Sequence, residues 1–131
     1  MARESFATVR KVVVALNQRD VDGYLACCTE DVELVPATAA IEGGYTGRSG
    51  IQRFFADLHD TAPDIQVDIE RLESVAPHVL AFERATASGR TSEAGGEIDF
   101  TTVYEFAGQK IRRIQVFLTR EQALEAVGLR D

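Results

Sequence analysis

The sequence predicts an α+β fold: a curved, mainly antiparallel sheet with three N-terminal helices over its concave face and a short C-terminal helix. Three observations carry this. Apolar residues recur at helical spacing in the first half of the chain and switch to a period of two after residue 64. The helices and the long strands are segregated, which separates α+β from alternating α/β architectures. The last strands follow one another through short turns, so they pair as antiparallel neighbours.

The first helix is read from "SFATVRKVVVALNQRD", where Phe6, Val9, Val12, Val13 and Leu16 share one face and Ser5 stands as N-cap. Asp20 caps a second, short helix in which Val21, Tyr24, Leu25 and Cys28 repeat at helical spacing. "EDVELVP" is a short strand ended by Pro36, and "ATAAIEGGYTG" is a glycine-rich loop. "RSGIQRFFADLHDTAPD" forms a third helix, with Ile51, Phe54, Phe55 and Leu58 inward and Pro63 at its end.

Beyond it, "DIQVDIERLESV" alternates Ile65, Val67 and Ile69 against polar residues. Pro77 opens a second long strand, "AFERATA", which runs into the polar loop "SGRTSEAGGE". "IDFTTVYEF" and "KIRRIQVFL" are two more strands joined by the tight turn "AGQ". In "TREQALEAVGL", Thr119 and Gln122 form a capping pair and Gly128 stops a final helix.

Composition narrows the function classes. A chain of 131 residues fits one domain spanning 1–131 with a real core. Its formal charge of −7 disfavours phosphate backbones and anionic lipid, and it holds no basic run, so neither nucleic acid nor membrane is an expected partner. No apolar stretch has the form of a signal peptide or the length of a membrane span, and the expected compartment is the cytoplasm. Cys27 and Cys28 are adjacent, poor geometry for a disulfide, and are read as reduced residues of the second helix. With His59 and His78 on the surface, no metal-ligand spacing emerges, and neither metal nor cofactor is expected.

The stretches "RDVDGYLACCTEDVELVP", "GYTGRSGIQRFF" and "GQKIRRIQVFL", in this order and spacing, resemble the nuclear transport factor 2-like superfamily, SnoaL-like branch. The likeness covers essentially the whole chain. It implies a cone-like roll whose members include isomerases, cyclases, dehydratases, epoxide hydrolases and proteins of no known reaction. The catalytic tyrosine and two aspartates of ketosteroid isomerases fall on Val12, on Val35 or Pro36, and on Thr102, none of which can exchange a proton near neutral pH. The epoxide-hydrolase arginine is kept as Arg84, but Thr86 and Val116 stand where its aspartates would be, and the polyketide-cyclase aspartate is missing from the same place.

The site expected from the residues is a mainly apolar pocket between sheet and helices. Leu80, Phe82, Arg84 and Thr86 share one face of their strand, and two large apolar residues mark that face as interior. Ile98, Phe100, Thr102, Tyr104 and Phe106 join it from the next strand, and Ile114, Val116 and Leu118 from the last. Glu83, Asp99, Glu105, Arg113 and Gln115 then form a convex face suited to a homodimer contact. A buried guanidinium needs an anion. Arg84 is therefore held in a structural ion pair, with Glu33 as its internal partner, or reaches the pocket mouth, or anchors a small organic ligand with Tyr104 and Thr102 beside it. The last role is the one expected here. Phe82, Phe100, Val116, Leu118, Phe54 and Val12 complete the wall, and Tyr45 closes the mouth or pins its loop. The reading is therefore a small-molecule-binding protein. The alternative is an isomerase, cyclase or hydrolase with Glu33 as base and Arg84 stabilising an oxyanion.

Overall fold

A computed structural model describes residues 2–37, 44–87 and 96–128. The glycine-rich loop and the polar loop after "AFERATA" fall largely at 38–43 and 88–95, outside the described residues.

The elements follow the expected order. Helices α1 (Ala2–Gln18) and α2 (Val21–Ala26) lead into strand β1 (Cys28–Val35) and the short β2 (Tyr45–Thr46). Helix α3 (Gly47–Thr61) follows, then β3 (Ile65–Val75), β4 (His78–Ala87), β5 (Glu97–Ala107), β6 (Lys110–Phe117) and α4 (Arg120–Ala126). The strands form one sheet in the order β2-β1-β6-β5-β4-β3, antiparallel throughout except where β1 runs parallel to β6.

Local chemistry accounts for the element ends. The Asp20 carboxylate accepts from the Gly23 amide at 3.0 Å, which satisfies an otherwise orphaned donor at the start of α2. Thr119 does the same for α4 through the Gln122 amide. Gly108 turns β5 into β6 at a φ of +66°, a conformation costly for residues with a Cβ. Two boundaries differ from the sequence reading. Helix α1 begins at Ala2, so Ser5 lies inside it, and Cys28 opens β1 rather than ending α2. Cys28 pairs with Ile111 in the sheet, where the Ile111 amide donates to the Cys27 carbonyl at 2.9 Å, and this pairing to β6 outweighs the weak helical periodicity of a six-residue segment.

The main core lies between the concave face and α1–α3, with Val9, Val12, Val32, Ile51 and Ile111 essentially inaccessible. Asn17 fastens the end of α1 to the edge strand β3: its side chain donates to the Val67 carbonyl at 2.9 Å and accepts from the Val67 amide at 2.8 Å. Arg19 ties the α1–α2 corner to the α3–β3 connection by donating to the carbonyls of Leu16, Pro63 and Ile65. These contacts hold the helices at the rim of the sheet.

A second, smaller core lies on the convex side. Here Leu80, Val103 and Ala123 are buried, with Phe82, Phe117, Leu124 and Val127 packed around them. Helix α4 is therefore a cover for the outer face of β4, β5 and β6.

Candidate functional site

Strand β4 is in the opposite phase from the one its sequence suggests. Leu80 and Phe82 point outward under α4, and Arg84 and Thr86 follow them by the two-residue pleat. Arg84 is partly exposed and paired on the outside, with Asp99 at 2.8 Å directly across the β4–β5 ladder and Glu70 at 3.3 Å. Two carboxylates next to it hold its pKa above the ordinary guanidinium value. The expected pocket anchor is thus a surface ion pair. Replacing Arg84 with leucine is expected to leave stability close to unchanged and ligand binding unaffected, as urea unfolding and calorimetry will read, because exposed pairs in water contribute little.

Inward, β4 presents Ala81, Glu83 and Ala85. Glu83 is 3 % exposed and Ala81 and Ala85 are buried with it. The Thr102 hydroxyl donates to one oxygen of Glu83 at 2.7 Å, and the Tyr104 hydroxyl donates to the other at 3.1 Å. Both donors sit on β5, on the face that alternation predicts for them. The ladder sets Phe100 opposite Glu83 and places Thr102 one diagonal step away.

This cluster lines a cavity of about 270 Å³ between the sheet and the helices. Ala85, Phe100, Val116 and Ile114 surround the polar group on the floor. Val13 and Leu16 of α1, Tyr24 of α2, and Phe54 and Leu58 of α3 form the roof, while Ile65 and Val67 of β3 close one side. Ile98 and Leu118 also line it and are 52 % and 57 % exposed, which marks them as its mouth. The tyrosine and phenylalanine rings of the roof brace one another, with Tyr24 edge-on to Phe55 at 5.2 Å and Phe54 edge-on to Phe55 at 5.6 Å.

Among the described lining residues Glu83 alone carries a formal charge. Burial pushes its pKa up to about 7, while the hydroxyls of Thr102 and Tyr104 hold it back by donating to the ionised form. Tyr104 and Tyr24 are both raised well above the ordinary phenol value, first by burial and then by nearby groups, Glu83 for Tyr104 and Cys28 followed by Glu83 for Tyr24, so both keep their protons. At neutral pH the site is a carboxyl group poised between its two forms, held by two neutral hydroxyl donors inside an apolar shell.

The other candidates divide cleanly. Phe100, Thr102, Tyr104, Val116, Leu118 and Phe54 line the cavity. Val12 is buried one layer behind it, and its neighbour Val13 takes the lining position. Tyr45 backs Phe54 edge-on at 5.5 Å and donates to Asp57, away from the cavity. Phe82 lies on the convex side, with Arg120 stacked over its ring. Glu33 is exposed on β1 beside Arg113 at 4.0 Å, on the outer side of the sheet, so it has no route to a ligand in the cavity. Glu83, expected on the convex face, is the residue that sequence reasoning missed. Among the described residues no group of three or more His, Cys, Asp or Glu could hold a metal ion, and no helix is long and apolar enough to cross a membrane.

Residues 9–114 match the SnoaL-like domain family. The chain belongs to that family. No curated protein sequence matches this SnoaL-like chain. Several solved structures share its fold. TerC, crystallised with polyporic acid, superposes with a TM-score of 0.76 at 18% identity, over 95% of this chain and 98% of TerC. A hypothetical protein with a ketosteroid isomerase-like fold from Catenulispora acidiphila, in complex with trimethylamine, gives 0.74 at 18% identity over 93% and 92%. An uncharacterised cystatin-fold protein from Novosphingobium aromaticivorans gives 0.71 at 24% identity over 86% and 97%. These likenesses place the SnoaL-like chain in the nuclear transport factor 2-like fold and define its architecture alone.

Proposed function

We propose that this SnoaL-like protein binds a small, largely apolar organic molecule in the cavity, and that the Glu83 carboxyl is the polar group that meets it. One observation carries the reading: an acid 3 % exposed stands at the wall of an otherwise apolar space. Burying a carboxyl costs several kcal/mol unless it is paired, and two hydroxyls offset only part of that (about 1–2 kcal/mol each). A polar ligand group would supply the rest. Apolar walls with a few convergent polar atoms are the usual make-up of a small-molecule site. Two neighbours of the same fold were crystallised with organic molecules, polyporic acid in one and trimethylamine in the other, which fits a ligand-holding role.

A second reading is supported by the Glu83 pKa of about 7. A carboxyl that exchanges its proton near neutrality suits general acid–base work, so an isomerase-type proton transfer with Glu83 as carrier replaces the scheme based on Glu33. Tyr104, which keeps its proton, would stabilise a developing oxyanion. The homodimer expected through the convex face also stays a proposal. Helix α4 occupies part of that face and leaves the charged region around Arg84, Asp99 and Glu105 for a partner copy, and light scattering tests it.

Filling the cavity is the direct test. Ala85 is 4 % exposed and lines the space, so Ala85→Leu adds three carbons where there is room for them. The variant is expected to fold at least as well as the parent and to lose binding of small aromatic probes, p-cresol and acetophenone, followed by shifts of the Phe100 and Tyr104 ring resonances. Probes that move those resonances equally in both proteins bind elsewhere, and the reading then fails.

A further inference from the structure

We propose that the ligand class of this cavity is a small lipophilic cation, a tertiary or quaternary ammonium, with the Glu83 carboxylate as its counter-ion and the rings of Tyr24, Phe54, Phe100 and Tyr104 as its walls. This rests on the ligand-binding reading above and sharpens it.

The charge inventory is the first ground. Among the described lining residues Glu83 is the one formally charged group, and none of them is a lysine, arginine or histidine. Arginines of β4 and β6 are engaged outside, Arg84 with Asp99 and Glu70, Arg112 with Glu105, and Arg113 beside Glu33. An anionic ligand would meet an uncompensated like charge in a poorly solvated space, and a neutral one would leave the carboxylate without a counter-charge. A monocation cancels it.

The second ground is the supply of acceptors. Each Glu83 oxygen already accepts one hydroxyl, and the remaining wall is mostly hydrocarbon. A primary ammonium brings three N–H donors that this wall serves poorly. A tertiary ammonium brings one, and a quaternary ammonium brings none and presents only methyl or methylene surface. Four aromatic rings then offer what such a head group takes up best, attraction of the cation to the ring quadrupoles. A formal charge of −7 on the chain also raises the local concentration of cations over anions.

The groups around Glu83 make the pH response readable. Tyr104 from β5 and Tyr24 from α2 are the titratable neighbours, with the Cys28 thiol of β1 beside the two tyrosines, and all three stay protonated. The contributions to the lining from α1, α3, β3 and β6 are apolar. Of these four groups, Glu83 is the one that changes charge between pH 6 and 8.

Isothermal titration of the intact chain with three probes of similar shape tests the proposal: benzyltrimethylammonium, phenylacetone and phenylacetate. The quaternary probe carries its charge at every pH. It is expected to bind best of the three at pH 8 and about tenfold more weakly at pH 6, as Glu83 goes from about nine-tenths to about one-tenth ionised. Glu83→Gln should remove both the preference and the pH response, with folding checked by circular dichroism. Phe100→Leu, which leaves the acid in place, should weaken the cation several-fold and the ketone little. Phenylacetone binding more tightly than the cation and strengthening toward pH 6 would overturn the cation class while leaving a ligand-binding cavity. So would equal loss of cation and ketone in Phe100→Leu. Failure of all three probes to bind the parent chain, with p-cresol and acetophenone also silent, removes the ligand-binding reading and this inference together.

Discussion

Glu83→Gln is expected to make the protein's stability less dependent on pH, with the largest difference on the alkaline side. The folded-state pKa of about 7 lies above the ordinary carboxyl value of 4.5, so the native state holds the Glu83 proton where the unfolded chain has released it. Stability from this group is full below the ordinary value and is lost as pH rises through about 7. At about 1.36 kcal/mol per pK unit, the parent should lose about 2–3 kcal/mol between pH 5 and 8 that the glutamine variant keeps. Urea unfolding of both proteins at pH 5, 6, 7 and 8 isolates the effect, since every other titrating group cancels in the difference. A difference that stays constant across that range means that Glu83 ionises as freely in the folded protein as in the unfolded one.

Leu80→Ala is expected to be the more damaging change at any single pH. Leu80 is fully inaccessible in the small core under α4, with Val103 and Ala123. Truncating it removes three carbons where β4 and α4 are both committed, at a cost of about 2–5 kcal/mol. The site prediction is as informative as the magnitude. Because Leu80 faces away from the cavity, ligand affinity at a temperature where the variant is folded should match the parent. An altered affinity, measured by the same calorimetry, would place Leu80 at the pocket after all.

Much of this arrangement is legible in the residues. Strands β5 and β6 have clear alternation, so Phe100, Thr102, Tyr104, Ile114 and Val116 emerge on the concave side as expected. Strand β4 does not, because it is buried on both faces: Val79, Leu80 and Ala81 are all nearly inaccessible. Apolar residues there satisfy either phase, and the adjacent Glu83 and Arg84 force one charge inward whichever phase is chosen. The size of Leu80 and Phe82 argues for the wrong one, since their partner is α4, a helix whose docking place no local pattern reveals. Two signals do point the right way. Ala85 is small, as a strand needs to be where it faces an empty space, and Ala81 fits the same inward phase. Across the ladder, two hydroxyls with protons to donate match a carboxylate acceptor better than a guanidinium, which can only donate. Asp99, opposite Arg84, completes the same phase on the outer side.

The parallel pairing of β1 with β6 has a consequence for how the chain reaches this state. Among the described residues, strand β6 alone pairs the N-terminal strands β1–β2 with the hairpins β3–β5 in the sheet, and it begins at Lys110. A nascent chain emerging from the ribosome therefore carries the two parts of the sheet, linked through the contacts of Asn17 and Arg19 to β3, without strand pairing between them until residues 110–117 are out of the exit tunnel. Such late, distant pairing makes for slow maturation and leaves an unpaired β5 edge open to other chains in the meantime.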